Sequence, residues 1–269
     1  MAERPGGQTG GKPPTGSEGR ILADGGEGDA RQRERLGVET LREYRLMDTP
    51  PEQAFDRVTK LVADLFDAPI ALVSLVDDCR QWFKSAYGLD VAETSRDISF
   101  CQFVVADEQP LIVTDVIGDA RFRDNPLVTG EPFIRFYAGV PLRAYNGTVL
   151  GSLCVIDRKE RAVFGAAELT RLEDFAAIVM AEADLRRIAA ERDDARHMLE
   201  RALDFSGIAT WQFDARDGSI RWRGAAAELW GADYQEALAT IDGFFVRLHG
   251  DDREQVRGIL AESVANEAP

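Results

Sequence analysis

Three cysteines, two histidines and three pairs of adjacent aspartates are the side chains here best equipped for covalent, metal or acid–base chemistry. Cys79, Cys101 and Cys154 form no Cys-x-x-Cys pair and are odd in number. That suits neither a disulfide framework nor a zinc site, and predicts a reducing, cytoplasmic setting. Cys101 and Cys154 sit in apolar surroundings, beside Phe100 and Val155, where cysteine ordinarily serves as a small buried hydrophobe. Redox sensing would need a lowered thiol pKa together with solvent access. A thiol-dependent enzyme using Cys101 and Cys154 is the enzymatic alternative. Cys79 falls in a turn and reads as exposed. His197 and His249 lie outside the cysteine-bearing region, so no Cys-His or Ser-His-Asp arrangement forms within it. No His-Glu-x-x-His, phosphate-binding loop or Gly-x-Gly-x-x-Gly occurs. Asp77-Asp78, Asp193-Asp194 and Asp251-Asp252 read as a turn, a solvated helix face and a helix start, the last favoured by the helix dipole. The expectation is no catalytic residue and no metal in the residues shown.

The totals narrow the class. A net charge of −15 argues against a nucleic-acid surface, which needs clustered lysine and arginine. No apolar run reaches the length of a membrane span, and no apolar core follows Met1 as in a signal peptide. Hydrophobic content of 45% with 29% charged residues is that of a globular soluble protein.

The groups above must be held by a run of helices and strands. From Arg31 to Met47, Leu36, Leu41 and Tyr44 fall at helical spacing, and Thr49-Pro50-Pro51 stops that helix. A second amphipathic helix runs from Glu52 to Phe66, and Pro69 breaks it. Ile70 to Val76 is a continuous apolar run, read as a buried strand, and Asp77-Asp78 turns it into the alternating partner Gln81 to Ala86. Gly88 to Ile98 is loop. Ser99 can cap a short helix through Val105, and Leu111 to Val113 is a further short strand closed by Asp115. Phe136 to Leu142 and Val149 to Ile156 make a hairpin, with Asn146-Gly147 offering the two positive-φ positions of a tight turn. The preceding stretch, Arg121 to Arg135, carries Pro126, Gly130 and Pro132 and is too punctuated for a regular element. It is either a binding loop or a structural crossover beside the sheet. The order of elements predicts an α+β domain with an antiparallel sheet, from Leu36 to Leu185.

Flanking segments differ in kind. Residues 1–30 hold nine of the 24 glycines and almost no large apolar side chain, and are expected to be disordered. Residues 166–203 contain neither glycine nor proline and predict one long helix. Its apolar residues occupy two faces. Leu169, Leu172, Ala176 and Val179 suit packing on the sheet. Ile178, Ala181, Leu185, Ile188, Ala195 and Leu199 continue a 3-4 alternation that makes a coiled-coil seam in a homodimer. The alternative is a helix folded back on its own domain. Residues 204–269 start a separate unit: a hairpin around Asp217-Gly218, short helices, and a longer helix from Asp251 to Val264.

Residues 31–165 resemble a GAF domain of the bacterial sensory subtype. The resemblance is carried by Phe55-Asp56, PIALVSLVD (69–77), RQWFKS (80–85), Gly88-Leu89, Glu93-Thr94, Arg96, SFC (99–101), DARFRDNPLV (119–128), RFYAGVPL (135–142) and GSLCVID (151–157). SGIATWQFDARDGSIRWRGAAAELWG (206–231), with HGDDREQVRGIL (249–260), resembles the front of a PAS domain, with Gly250 where that family usually has proline. A PAS fold finishes with three long strands that this chain lacks, so either a fragment of a longer protein, the favoured expectation, or a degenerate domain is implied.

What the first resemblance implies is a small-molecule sensing or dimerisation module joined to a signalling output. A histidine kinase is the preferred output. A diguanylate cyclase, or a stand-alone regulatory or scaffolding protein whose pocket its own side chains fill, are the alternatives. The partners implied are an unidentified small ligand, a second copy of the chain, and a downstream output domain or response regulator, with no nucleic acid and no membrane. The pocket implied lies between the sheet and the 121–135 loop. Its candidate liners are Phe100, Cys101, Asp115, Phe122, Asn125, Phe136 and Tyr137. The cofactor is open: Cys101 and Cys154 precede Gln102 and Val155 rather than the histidine of bilin-binding relatives. No histidine stands in this region for haem, and the PAS-like stretch has no cysteine for a flavin adduct.

Overall fold

Thr49-Pro50-Pro51 separates two helices, as its chemistry requires: α1 (Gly25–Tyr44) ends before it and α2 (Gln53–Phe66) begins after it. The computed structural model describes residues 25–214 and 216–266. Helix α1 starts at Gly25, inside the segment expected to be disordered. The remainder of that expectation, residues 1–24, lies outside the described residues. The chain divides into two units, residues 1–182 and 183–269.

The first unit is built on a six-stranded antiparallel sheet. Its strands are β1 (Ile70–Val76), β2 (Arg80–Tyr87), β3 (Glu93–Ser95), β4 (Leu111–Val113), β5 (Phe136–Arg143) and β6 (Val149–Asp157), in the order β3-β2-β1-β6-β5-β4. The expected α+β class holds. Strand β3, followed by a 3-10 turn at Arg96–Ile98, lies in what the sequence predicts as loop. The other elements are α3 (Cys101–Asp107) and a single-turn α4 (Pro126–Thr129).

Central strands β1 and β6 are buried almost end to end, which explains their unbroken apolar runs. They also approach closely. A Cβ on Gly151 would lie 1.9 Å from the Ser74 carbonyl oxygen, so this position in β6 admits only glycine without displacement. In β2 a bulge opposite Val73 and Ser74 leaves Lys84 as the extra residue, so Lys84 and Ser85 both turn toward α2. Buried Lys84 donates to Thr49 Oγ1 (2.7 Å), the Pro50 carbonyl (3.0 Å) and Glu52 Oε1 (2.5 Å), fastening the α1–α2 connection to the sheet.

The β5–β6 turn differs from expectation. Only Gly147 has a positive φ (86°), and the ladder closes through Ala144, whose N–H donates to Thr148 and whose carbonyl accepts from Gly147. Asn146 is not at positive φ, and its side chain is engaged: Oδ1 accepts from Thr148 N–H and Nδ2 donates to Thr40 on α1. The turn is therefore a longer loop with one glycine position, not a two-residue turn with two.

Helix α5 (Ala166–Ser206, 41 residues) crosses the boundary between the units. In the first unit Leu172, Ala176 and Val179 are buried. Within the second unit, β7 (Ala209–Asp214) and β8 (Ser219–Gly224) form a two-stranded sheet. Helices α6 (Ala226–Trp230), α7 (Tyr234–Ala237), α8 (Ile241–Arg247) and α9 (Arg253–Asn266) follow. Its small core gathers Ile220, Leu238 and Phe244, with Trp222 donating its indole N–H to the Leu238 carbonyl (2.9 Å). Trp222 and Trp230 pack against this core as expected, whereas Trp211 is exposed.

Candidate ligand-binding site

Side chains alternate across a strand, so one face of β1, β2, β5 and β6 presents Ile70, Leu72, Gln81, Phe83, Tyr137, Cys154 and Ile156. Over it lie α3, with Phe100 just before it and Cys101 at its start, and the segment through α4 that brings in Leu127, Pro132 and Ile134. Between them is a cavity of about 340 Å³, lined also by Leu89, Asp90, Val91, Thr94, Glu131 and Arg158. Its size is near the lower end of small-molecule sites, and its walls have their character: mostly apolar, with a few converging polar groups.

Of the seven candidate liners, Phe100, Cys101 and Tyr137 border this cavity. The other four candidates do not. Phe136 is one residue from Tyr137 and faces the other side of the sheet, with its ring tilted against Phe164 (5.6 Å) and under the Arg161 guanidinium (5.1 Å). Phe122 lies behind the wall, with its ring 4.3 Å from Phe100 and edge-on to Phe103 at 5.0 Å. Asn125 caps α4, with Oδ1 accepting from Leu127 N–H and Nδ2 donating to the Ile98 carbonyl, both at 2.9 Å. Asp115 is exposed and accepts from the Gly118 N–H (2.9 Å). Each short polar side chain is consumed by local backbone.

The floor of the cavity is polar. Tyr137 donates to Cys101 Sγ (3.3 Å) and lies 3.3 Å from Ser152 Oγ, while the fully buried Ser74 hydroxyl makes no well-formed hydrogen bond of its own. Burial opposes ionisation of Cys101, but hydrogen bonding, first with Cys154 and then with Tyr137, outweighs it and lowers this thiol. Cys154 is pushed well up, first by its hydrogen bond to Cys101 and then by burial. Tyr137 is raised by burial and by the two sulfurs. Cys79 has the opposite profile: it is exposed, and the Asp77 carboxylate raises its thiol. Exposure and a lowered pKa thus fall on different cysteines, which is not the arrangement of a reactive thiol.

Two cavity groups escaped the sequence reading. Gln81 is 4% exposed, and its Oε1 accepts from the Ser99 hydroxyl. Thr94 stands opposite Gln81 in the β2–β3 register, with its Oγ1 buried. The strand alternation of RQWFKS places Gln81 in phase with Phe83 and would have flagged it. Thr94 stood in the Glu93-Thr94 match of the resemblance, without being assigned to the pocket.

Among the described residues no three His, Cys, Asp or Glu side chains converge as a metal site, and no helix is long and apolar enough to cross a membrane.

Comparison with known proteins matches residues 50–182 to the GAF domain family. A cyclic di-GMP phosphodiesterase of Pseudomonas aeruginosa is 44% identical over 136 residues, covering 51% of this chain and 23% of that protein. The chain thus spans under a quarter of that relative's length. Among solved structures, the GAF domain of an Acinetobacter phosphoenolpyruvate-protein phosphotransferase aligns with a TM-score of 0.43 and 19% identity, over 57% of this chain and 92% of that one. A free methionine-R-sulfoxide reductase from Neisseria meningitidis, in complex with its substrate, aligns at 0.44 and 17%, over 60% and 93%.

Proposed function

With residues 50–182 forming a GAF domain, we propose that this chain is the sensory input of a cytoplasmic signalling protein, binding a small molecule in the β1–β2–β5–β6 cavity and passing the change on through α5. The observation that carries this is the cavity itself. It is bounded by sheet on one side and by α3 and the 121–135 segment on the other, and it keeps buried polar groups inside apolar walls. Sequence-specified cores of this size seldom leave such space without use.

For the output, turnover of cyclic di-GMP is the reading we favour over the histidine kinase expected from domain order. The phosphodiesterase relative supports it, and the diguanylate cyclase alternative belongs to the same chemistry. The relay is proposed to run through a homodimer seam on Ile178, Ala181, Leu185, Ile188, Ala195 and Leu199, all of them exposed. A shift in rotation or register of paired helices has two discrete states, which is what an output domain can read. The unit after α5 is proposed to be PAS-like, in keeping with its hairpin and short helices.

Native mass spectrometry of the purified chain, incubated with small-molecule extract and then denatured, tests the sensing claim. The expected result is an added mass that leaves on denaturation and is absent from Leu72→Trp, which fills the cavity. A chain that gains no mass, or an adduct that Leu72→Trp retains, sinks the proposal.

A further inference from the structure

Resting on the reading of the cavity as the ligand site, we propose that its occupant is an uncharged ring compound whose hydrogen-bond acceptor meets the side-chain amide of Gln81 and the hydroxyl of Thr94.

The argument starts from protons. The Ser99 oxygen accepts from the Gln102 N–H (3.3 Å) at the start of α3 and gives its own proton to Gln81 Oε1. In this arrangement the carboxamide NH2 group is the free end. The Gln81 side chain has no further hydrogen bond among the described residues, and Thr94 Oγ1 is buried without one. Both residues line the cavity, side by side across β2 and β3. Buried polar groups without protein partners are met by water or by a ligand. A donor pair of this sort selects an acceptor such as a carbonyl or ring nitrogen.

Charge excludes the alternatives. Among the described lining residues the one cation is Arg158, which follows β6 at the end where Ile156 pairs with Ile70. Gln81 pairs with Val76 at the opposite end of β1. Arg158 also shares its end with Asp90 and Glu131, next to Pro132, whose carbonyl accepts from its Nε (3.2 Å). Lys84 is on the same strand as Gln81 but turned toward α2, with three acceptors around its ammonium. A phosphate or carboxylate at the Gln81 end would be desolvated with no counter-charge, which strongly disfavours it. The walls supply Phe83, Phe100 and Tyr137 for a ring, and about 340 Å³ is small for a cyclic dinucleotide. Cyclic di-GMP, the substrate named for the Pseudomonas relative, is therefore not the occupant proposed.

The test uses matched probes on the full chain: benzamide against benzoate and indole-3-carboxamide against indole-3-carboxylate, with cyclic di-GMP as a third class. The readouts are NMR of the Gln81 side-chain amide and of the Leu72 methyl groups. Both carboxamides are expected to shift the Gln81 amide and to bind roughly tenfold or more tightly than their carboxylates. Gln81→Met is expected to weaken carboxamide binding about two- to tenfold, with Thr94→Val as a second variant should the first not fold. Carboxylates or cyclic di-GMP binding as well as the carboxamides, or carboxamides shifting Leu72 but not Gln81, overturns the assignment while leaving the cavity a binding site. No probe shifting either residue overturns this assignment, whereas the mass-spectrometric result above judges the sensing claim independently.

Discussion

Tyr137 on β5 places its hydroxyl 3.3 Å from the sulfur of Cys101 on α3, 36 residues away in sequence. A phenol has one proton to give. With that proton directed to sulfur, the neighbouring Ser152 hydroxyl donates to the Tyr137 oxygen, making a chain of hydrogen bonds from β6 to α3. Tyr137→Phe removes the middle link. The Cys101 thiol is then expected to lose its proton at higher pH than in the wild type, because one donor that favours the thiolate is gone. Selective 13Cβ-cysteine NMR over a pH series reads this directly. An unmoved Cys101 titration would show that the hydroxyl does not act on the sulfur.

Lys84→Met keeps the buried stem and deletes the ammonium that holds Thr49, Pro50 and Glu52. The substitution also removes a cation lying 5.2 Å from the centre of the Phe55 ring. Removing one partner of a buried charged cluster costs more than the cluster's net worth, so a loss of about 3 kcal/mol is expected. Urea denaturation checks it. A change below about 0.5 kcal/mol, the range of ordinary surface substitutions, would mean the fastening is not energetically important.

Asp77 gives the pH dependence. Partial burial raises its pKa, but the Cys79 and Arg80 N–H groups and the Arg80 guanidinium outweigh that and hold it below the ordinary 3.8. A carboxyl lowered on folding contributes stability that is full above its unfolded value and is lost as pH falls through the folded one. Asp77→Asn keeps an acceptor for the turn and removes the charge. Below pH 3.8 the wild type is expected to lose stability more steeply than this variant, as followed by urea midpoints at successive pH values. Parallel curves would contradict the assignment.

Single cysteines at Ile178, Leu185, Ile188 and Leu199 test the proposed seam. These side chains are 53%, 65%, 53% and 56% exposed in the single chain. Oxidative crosslinking is expected at these positions and not at Glu191 or Arg201, which fall off the 3-4 alternation. Equal crosslinking at all six positions, or at none, removes the dimer relay.

How much of this was legible beforehand depended on the range of the interaction. Strand β1 begins and ends where Pro69 and Asp77 say it should, because an unbroken apolar run between breakers is a local signal. Strand β3 carries no such signal. It exists because Thr94 finds a register partner in Gln81, a fact of tertiary pairing. The single turn of α4 did have a signature, Asn125 as cap with Pro126 at the first helical position, and was lost among the neighbouring breakers. At the site, the two-residue period of a strand already forbids Phe136 and Tyr137 from sharing a face, so one of them had to be wrong. Asp115 and Asn125 were attractive as polar liners, but short polar side chains beside turns bond to their own backbone first. Unsatisfied donors such as those of Gln81 and Thr94 become visible only once every competing partner has a position.

Phe100 belongs to two structures at once: the wall of the cavity and the ring stack that continues through Phe122. Phe122 in turn is anchored by its N–H to the Asp119 carbonyl, in a stretch whose neighbour Arg123 is open to solvent. A wall shared in this way has no slack, since interiors are packed too densely to absorb a displaced ring. An occupant that pushes Phe100 must also tilt Phe122 and load the stretch from 119 to 130. Under the proposed sensing role, the stretch from 119 to 130 acts as a gauge on the outer surface, geared through two stacked rings to the contents of the cavity.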